Sequence, residues 1–229
     1  MTQKLTILFD LDGTLVDTAP DLMTAHNHVM KKFGYNSKNI DEIRKYVGKG
    51  AAVMIGRSLW GQARKELSKI TDQEIKNKML KEFLDFYGKN IVKESKLING
   101  VYNFLKWGKN NNISMGVCTN KQEKLSVDLL KKIKIYDFFE YVAGRNTFEY
   151  CKPDPRHLTS IIEIMNGNIK KSLMIGDSEN DADAAKLAGI PMILLENGYT
   201  DKKTEQIYYN HLIKDFTEIE KIIIKYLND

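Results

Sequence analysis

The stretch Phe9-Asp10-Leu11-Asp12-Gly13-Thr14-Leu15-Val16-Asp17-Thr18 decides how this chain is read. It follows Lys4-Leu5-Thr6-Ile7-Leu8, a short apolar run that predicts a buried strand. Asp10 and Asp12 therefore stand at the carboxyl end of that strand, and Gly13 turns the chain immediately after them. In open α/β sheets, ligands bind beside the carboxyl ends of the strands. Side chains two apart on a strand share a face, so the two acids repel unless a cation or a transferable proton lies between them. Stability alone does not favour such a pair. It marks a catalytic site.

Working outward, the pattern turns helical after the motif and stays helical to Val92. Residues 21–33 carry Leu22, Ala25, Val29 and Phe33 at helical spacing, with Pro20 at the start and Gly34 closing the segment. Further helices are predicted over 40–46, 51–60 and 72–87, the last with Ile75, Met79, Phe83 and Phe86 on one stripe. This stretch shows no strand-like alternation, so residues 17–92 read as an all-helical domain inserted into a second domain made of 1–16 and 93–229. That second domain alternates. Strands are predicted over 113–118, 139–143, 172–175, 192–195 and 209–213, with helices over 101–110, 121–134, 156–165 and 181–188. A last helix has Asp215 as its cap, with Glu218 three residues on as in a capping box. Repeated β-then-α with apolar strands predicts an α/β fold, a mostly parallel sheet between helices.

Three further polar clusters sit at or beyond the carboxyl ends of predicted strands: Thr119-Asn120, Cys151-Lys152-Pro153-Asp154-Pro155 and Gly176-Asp177-Ser178-Glu179-Asn180-Asp181. Each has a plain reading of its own, as a helix N-cap, a surface lysine or a capped helix start with acids favoured by the dipole. Together they bring two acids, a threonine, a lysine and a further acid to one edge of one sheet. Those groups suit phosphoryl transfer, which needs a nucleophile, a proton donor, hydrogen bonds to the equatorial oxygens and a counter-charge. Asp10, Asp12 and Asp177 outnumber Lys152, so a phosphate dianion is repelled unless a divalent cation is present. An all-oxygen carboxylate set selects Mg²⁺ over zinc. None of the 4 histidines pairs with a cysteine or another histidine at a zinc spacing.

Asp10-Leu11-Asp12-Gly13-Thr14, Thr119, Lys152-Pro153 and Gly176-Asp177-Ser178 with Asp181 resemble, in order, the four motifs of the haloacid dehalogenase superfamily. The resemblance runs through the whole chain and implies a Rossmann-like core with a helical cap inserted after the first motif. It also implies roles. Asp10 is the expected nucleophile, forming an aspartyl-phosphate. Asp12 is the expected acid and then base. Thr119, Asn120 and Lys152 are expected to bind the phosphoryl group. Mg²⁺ is expected on Asp10, Asp177 and the backbone carbonyl of Asp12, with Asp181 one step further out. An acid at position 12 is the pattern of the phosphotransferase members, not of the dehalogenases.

The cap is expected to choose the substrate. Residues 46–59 place Gly48 and Gly50 around Lys49 just before a helix, a loop that can approach an anion or serve as a plain interhelical turn. The segment is similar to the cap loop of phosphoglycolate phosphatases, as are Asp17-Thr18-Ala19-Pro20 and Asn197-Gly198-Tyr199. That resemblance implies 2-phosphoglycolate as the ester, with Lys49 taking its second anion. Hinges are expected near Val16-Asp17 and over 89–93. The alternatives are a β-phosphoglucomutase-like mutase, a phosphonatase using Lys49 as a Schiff base, and a pyrophosphatase or broad phosphatase. A catalytically silent phosphate-binding regulator stands against the intact Asp10 and Asp12.

Bulk properties narrow the partners. The 229 residues are 42% hydrophobic and 28% charged, with a net charge of +5 spread among acids rather than clustered. Nucleic-acid binding, including a DNA 3′-end phosphatase, is not expected without clustered Lys/Arg and interleaved aromatics. No apolar run reaches the ~18 residues of a membrane span, and no signal-peptide pattern is read at the N-terminus. The 2 cysteines, Cys118 and Cys151, suit a reducing cytoplasm and read as small buried residues. The expected partner is a small phosphorylated metabolite, with monomer and homodimer both open.

Overall fold

A computed structural model of the chain describes residues 4–59 and 72–228. β1 (Thr6–Phe9) runs into β2 (Val16–Asp17), then into four helices, α1 (Ala19–Lys32), α2 (Ile40–Tyr46), α3 (Ala51–Leu59) and α4 (Asp72–Lys89). The chain returns through β3 (Lys96–Leu97), α5 (Val101–Asn110), β4 (Ser114–Cys118), α6 (Glu123–Lys132) and β5 (Tyr141–Ala143). It closes with α7 (Arg156–Ile164), β6 (Ser172–Gly176), α8 (Glu179–Ala188), β7 (Met192–Leu195), β8 (His211–Ile213) and α9 (Ile219–Asn228). Trp60, the last residue of the helix expected over 51–60, lies outside the described residues.

Among the described residues, six strands form a parallel sheet in the order β5-β4-β1-β6-β7-β8. The chain leaves β1 toward β4 and β5 on one side and toward β6, β7 and β8 on the other. That reversal at β1 is the switch point where such sheets open a crevice beyond the strand ends. The register sharpens it, because Phe9 pairs with both Val117 and Ile175. The residues that follow all three strands therefore begin at one level.

β1 is buried throughout, and its alternation feeds two cores. Ile7 and Phe9 face a cluster with Phe104, Leu129 and Phe216, and Leu8 faces one with Ile161, Met174 and Ala185. Phe9 meets the rings of Phe104, Phe139 and Phe216 at centroid distances of 6.1, 5.9 and 6.4 Å. Burying such a side chain contributes about 2 kcal/mol, which fixes the direction in which Asp10 leaves the strand.

The structure departs from the expected elements at several ends. The strand expected over 139–143 begins at Tyr141, because Tyr136–Phe138 forms a short 3₁₀ turn. The strand over 209–213 is trimmed to His211–Ile213, and the helix over 121–134 to Glu123–Lys132. The last helix starts at Ile219, not beside Asp215. Asp215 instead accepts from the backbone N–H of Thr217 and from Asn99 Nδ2 (2.8 and 2.9 Å), closing a turn. Capping boxes form at Asn39 with Glu42 and at Ser178 with Asp181. The antiparallel ribbon of β2 with β3 pairs Val16 with Leu97 and Asp17 with Lys96. Two-residue strands carry no periodicity, so the sequence gives no sign of it. The return segment is tied to α1 by Asp21, whose carboxylate accepts from the backbone N–H of Lys93, Glu94 and Ser95 at 2.9 to 3.2 Å and from Ser95 Oγ at 2.6 Å. Among the described residues, no helix is long and apolar enough to cross a membrane.

Candidate active site

β1 ends at Phe9, so Asp10 and Asp12 follow the strand rather than lie on it. Both line one cavity and the charge of Asp12 adds to the rise of the Asp10 pKa, as the expected repulsion requires, but their carboxylates take different hydrogen-bond partners.

Asp10 joins the groups that follow β6. Lys152 Nζ lies 2.9 Å from Asp10 Oδ1 and 2.6 Å from Asp181 Oδ1. Lys152 is buried and precedes a cis peptide bond to Pro153, and its backbone N–H donates to His157 Nδ1 at 3.2 Å. Asp181 Oδ2 accepts from the N–H groups of Asp177 and Ser178 at 3.2 and 3.0 Å and from Ser178 Oγ at 2.8 Å. Asp177 accepts from Thr14 Oγ1 at 3.0 Å and from the Tyr199 N–H at 2.6 Å. Gly13 permits this approach. Its φ is +86°, and a Cβ there would stand 2.2 Å from Asp177 Oδ2.

The charges in this cluster do not balance. Burial pushes the Asp10 carboxyl up to about 6, against the opposing charge of Lys152. Burial also raises Asp177 well above the usual carboxylate range, with Asp10 and Asp181 adding to it. Burial acts against the Lys152 ammonium too, but Asp10 and Asp181 outweigh it and hold the group above the ordinary lysine value. Oxygens of Asp10, Asp177 and Asp181 lie within 4.8 Å of one another. Crowded carboxylates with one lysine among them fit a hard divalent cation bound through oxygen. Asp181 also serves Lys152 and the 177–178 backbone, as Asp177 serves Thr14 and the Tyr199 N–H and Asp10 serves Lys152, so all three carboxylates are held in place around this point.

Asp12 sits apart from that cluster. Its Oδ1 accepts from Thr18 Oγ1 at 2.7 Å, and Lys121 Nζ approaches its two oxygens at 2.9 and 3.2 Å. Lys121 is buried although it is a lysine, and sequence reasoning missed it by reading position 121 as the start of a surface helix. That helix begins only at Glu123. The available signal was a lysine directly after Thr119-Asn120, on a loop leaving a strand end.

The other expected site residues divide. Asp10, Asp12 and Thr119 line one cavity of about 150 Å³, together with Gly48, Tyr87 and Arg145. Asn120 lines it too, and its Nδ2 donates to the carbonyls of Gly48 and Lys152, both at 3.0 Å, a strut between helical insert and core, while its buried Oδ1 has no partner among the described residues. Lys49 does not line the cavity; its Nζ pairs with Glu179 Oε1 at 2.9 Å. Gly48, at φ +91°, brings the insert loop against the core, where a Cβ would meet the Tyr199 carbonyl at 3.2 Å. Arg145, after β5, is exposed, and its Nη1 donates to Cys151 Sγ at 2.9 Å. Cys118 is buried, with its thiol pushed up by that burial.

A family profile described as haloacid dehalogenase-like hydrolase matches residues 7–195. The chain belongs to this family, and it is a phosphatase. Among its relatives, a Mesorhizobium japonicum protein named phosphoglycolate phosphatase is 38% identical over 210 residues, 92% of this chain and 90% of that one. A Caulobacter vibrioides protein of the same name is 36% identical over 222 residues, 97% and 92% of the two chains. The crystal structure of a Haemophilus somnus protein, described as a predicted phosphoglycolate phosphatase, superposes with a TM-score of 0.89 at 30% identity, covering 97% of this chain and 99% of that one.

Proposed function

We propose that the chain hydrolyses 2-phosphoglycolate to glycolate and phosphate through an aspartyl-phosphate on Asp10. The observation that carries the reaction is the separation of the two motif acids. Asp10 lies beside Lys152 in a crowded anionic cluster, while Asp12 lies between a hydroxyl and an ammonium. The acid beside Lys152 is read as the one that attacks, and the acid held outside that pair by Thr18 and Lys121 as the one that moves a proton.

Asp10 attacks phosphorus, and the P–O bond to the glycolate oxygen breaks. Asp12 gives its proton to that leaving oxygen. It then takes one from the water that attacks the phosphoryl-aspartate, which releases phosphate and restores Asp10. Lys152 and Thr119 hold the equatorial oxygens during both transfers. Asp10, Asp177 and the backbone carbonyl of Asp12 would hold Mg²⁺, which when bound would offset the charge of the carboxylates and the phosphate. The second anion of the substrate needs a cation on the cavity wall. Arg145 is on that wall, whereas the charge of Lys49 is met by Glu179. Arg145 is therefore assigned the carboxylate. The names of the relatives support the choice of ester, and the small cavity suits a short one.

The test is phosphate release with Mg²⁺ from 2-phosphoglycolate, sugar phosphates, pyrophosphate and nucleotides. The expected result is the highest kcat/KM for phosphoglycolate, lost on chelation and restored by Mg²⁺. A sugar phosphate converted to its isomer, with little phosphate released and a bisphosphate primer required, would replace this reading with a mutase.

A further inference from the structure

We infer that Lys121 is a positioning residue that couples the proton transfer of Asp12 to the seating of the helical insert, with the Tyr87 hydroxyl as the insert's contact. The inference rests on the reading of Asp12 as general acid. An ammonium has three N–H groups to place. Here Lys121 Nζ reaches Asp12 Oδ1 and Oδ2 at 2.9 and 3.2 Å and donates to the Tyr87 hydroxyl at 2.9 Å. It also lies 4.3 Å from the centroid of the Tyr87 ring.

The two ends of this bridge belong to different parts of the molecule. Lys121 is on the core loop between β4 and α6. Tyr87 is on α4 of the insert, is 1% exposed, and stacks on Phe83 at 5.8 Å with an interplanar angle of 5°. Its hydroxyl is thus fixed by the insert's own packing. Asp12, Tyr87 and Lys121 all line the cavity in which the ester is bound. With the insert seated, Lys121 has a partner on each side, and its ammonium is held against Asp12. With the insert displaced, it keeps Asp12 but loses the hydroxyl and the ring that fix its direction. The chemistry that needs this is protonation of a poor leaving group. An alkoxide such as glycolate requires the proton from Asp12, while p-nitrophenolate departs without it.

The experiment compares kcat/KM for an alkyl ester (2-phosphoglycolate, with sn-glycerol 3-phosphate as a second) and for p-nitrophenyl phosphate. It uses full-length wild type, Lys121→Met, Lys121→Arg, Tyr87→Phe and Asp12→Asn. General acid catalysis contributes about 10²- to 10⁴-fold. Lys121→Met is expected to lower the alkyl-to-aryl ratio by ~100-fold and Tyr87→Phe by ~10-fold, with Lys121→Arg restoring part of the loss. Equal losses on both ester types in Lys121→Met and Tyr87→Phe would overturn the inference, since damage to the fold or to phosphate binding does not discriminate between leaving groups. Where Lys121→Met fails to fold, Tyr87→Phe decides, because it removes only a hydroxyl. A lowered ratio in Asp12→Asn with the wild-type ratio in the other variants refutes Lys121 alone. A wild-type ratio in Asp12→Asn refutes the general-acid reading, and the coupling with it.

Discussion

The core and the helical insert build the cavity in different ways. The core supplies buried polar side chains: Asp10, Asp12, Thr119 and Lys121 line the cavity, and Lys152 is buried against Asp10. The insert supplies an apolar wall that includes Leu22, Met54, Leu80, Phe83 and Leu84, and it meets core donors through the Gly48 carbonyl and the Tyr87 hydroxyl. Parallel strands at one register can deliver charged groups to a point, and the sheet carries the cost of burying them. The helices between β2 and β3 meet the core there through a few hydrogen bonds. In the proposed reading the reacting groups and Arg145, which takes the carboxylate, all stand on the sheet side, and the helices wall the cavity opposite them.

The comparison can be broken first at Asp10. Asp10→Asn should lower kcat by roughly 10⁴-fold, with an unchanged circular dichroism spectrum and melting transition. Substantial residual turnover would remove the nucleophile from position 10. The next test sits on the cavity wall. Arg145→Ala should raise KM for phosphoglycolate by about 10- to 100-fold, since a charged hydrogen bond contributes about 1.5–3 kcal/mol. KM for p-nitrophenyl phosphate, which has no second anion to receive, should move far less. Lys49→Ala should have the smaller effect of the two on phosphoglycolate, and the reverse order would return the carboxylate to Lys49. Gly48→Ala should sharpen the contrast. It asks for a Cβ 3.2 Å from the Tyr199 carbonyl at φ +91°, a strain of about 1–2 kcal/mol. Seating of the insert should weaken and KM rise by ~10-fold, with the melting temperature of the core little changed.

The smallest effect is in the core's pH dependence. Burial lowers the His157 pKa to about 3, from an ordinary 6.5. Below pH 6.5 the unfolded chain takes up a proton that the native state refuses. Stability should therefore fall by ~1.4 kcal/mol per pH unit from this group between pH 6.5 and about 3. Urea midpoints measured from pH 7 to 4.5 should show a shallower decline for His157→Gln, whose carbonyl oxygen can still accept the Lys152 N–H. Parallel profiles would rule His157 out as the source.

Much of the core was legible because three of the motifs close an apolar strand, and local pattern marks both the strand and its polar end. Asp10, Thr119 and Asp177 could be found that way, whereas Lys152, nine residues beyond β5, stood out by the prolines that follow it. Lys121 could not, since a lysine after a strand looks like any exposed helix start until Tyr87, 34 residues earlier in the chain, is placed above it. Lys49 shows the converse. Between two glycines it looks like a ligand-binding lysine, and Glu179 of the core meets its charge instead. Asn120 likewise reads as a phosphate ligand but spends its amide on two carbonyls.

The sequence by itself determined the α/β alternation, the run of helices after the first motif and the order of the candidate site residues along the chain. These follow from periodicity and turn chemistry, which act over a few residues. Only the tertiary structure decided that Asp10 and Asp12 take different partners within one cavity, that β2 and β3 pair where the insert joins the core, and that Lys121 rather than Lys49 pairs with a motif acid. Those outcomes depend on pairings between residues distant in sequence, where burial and charge choose the partner and no local pattern records the choice.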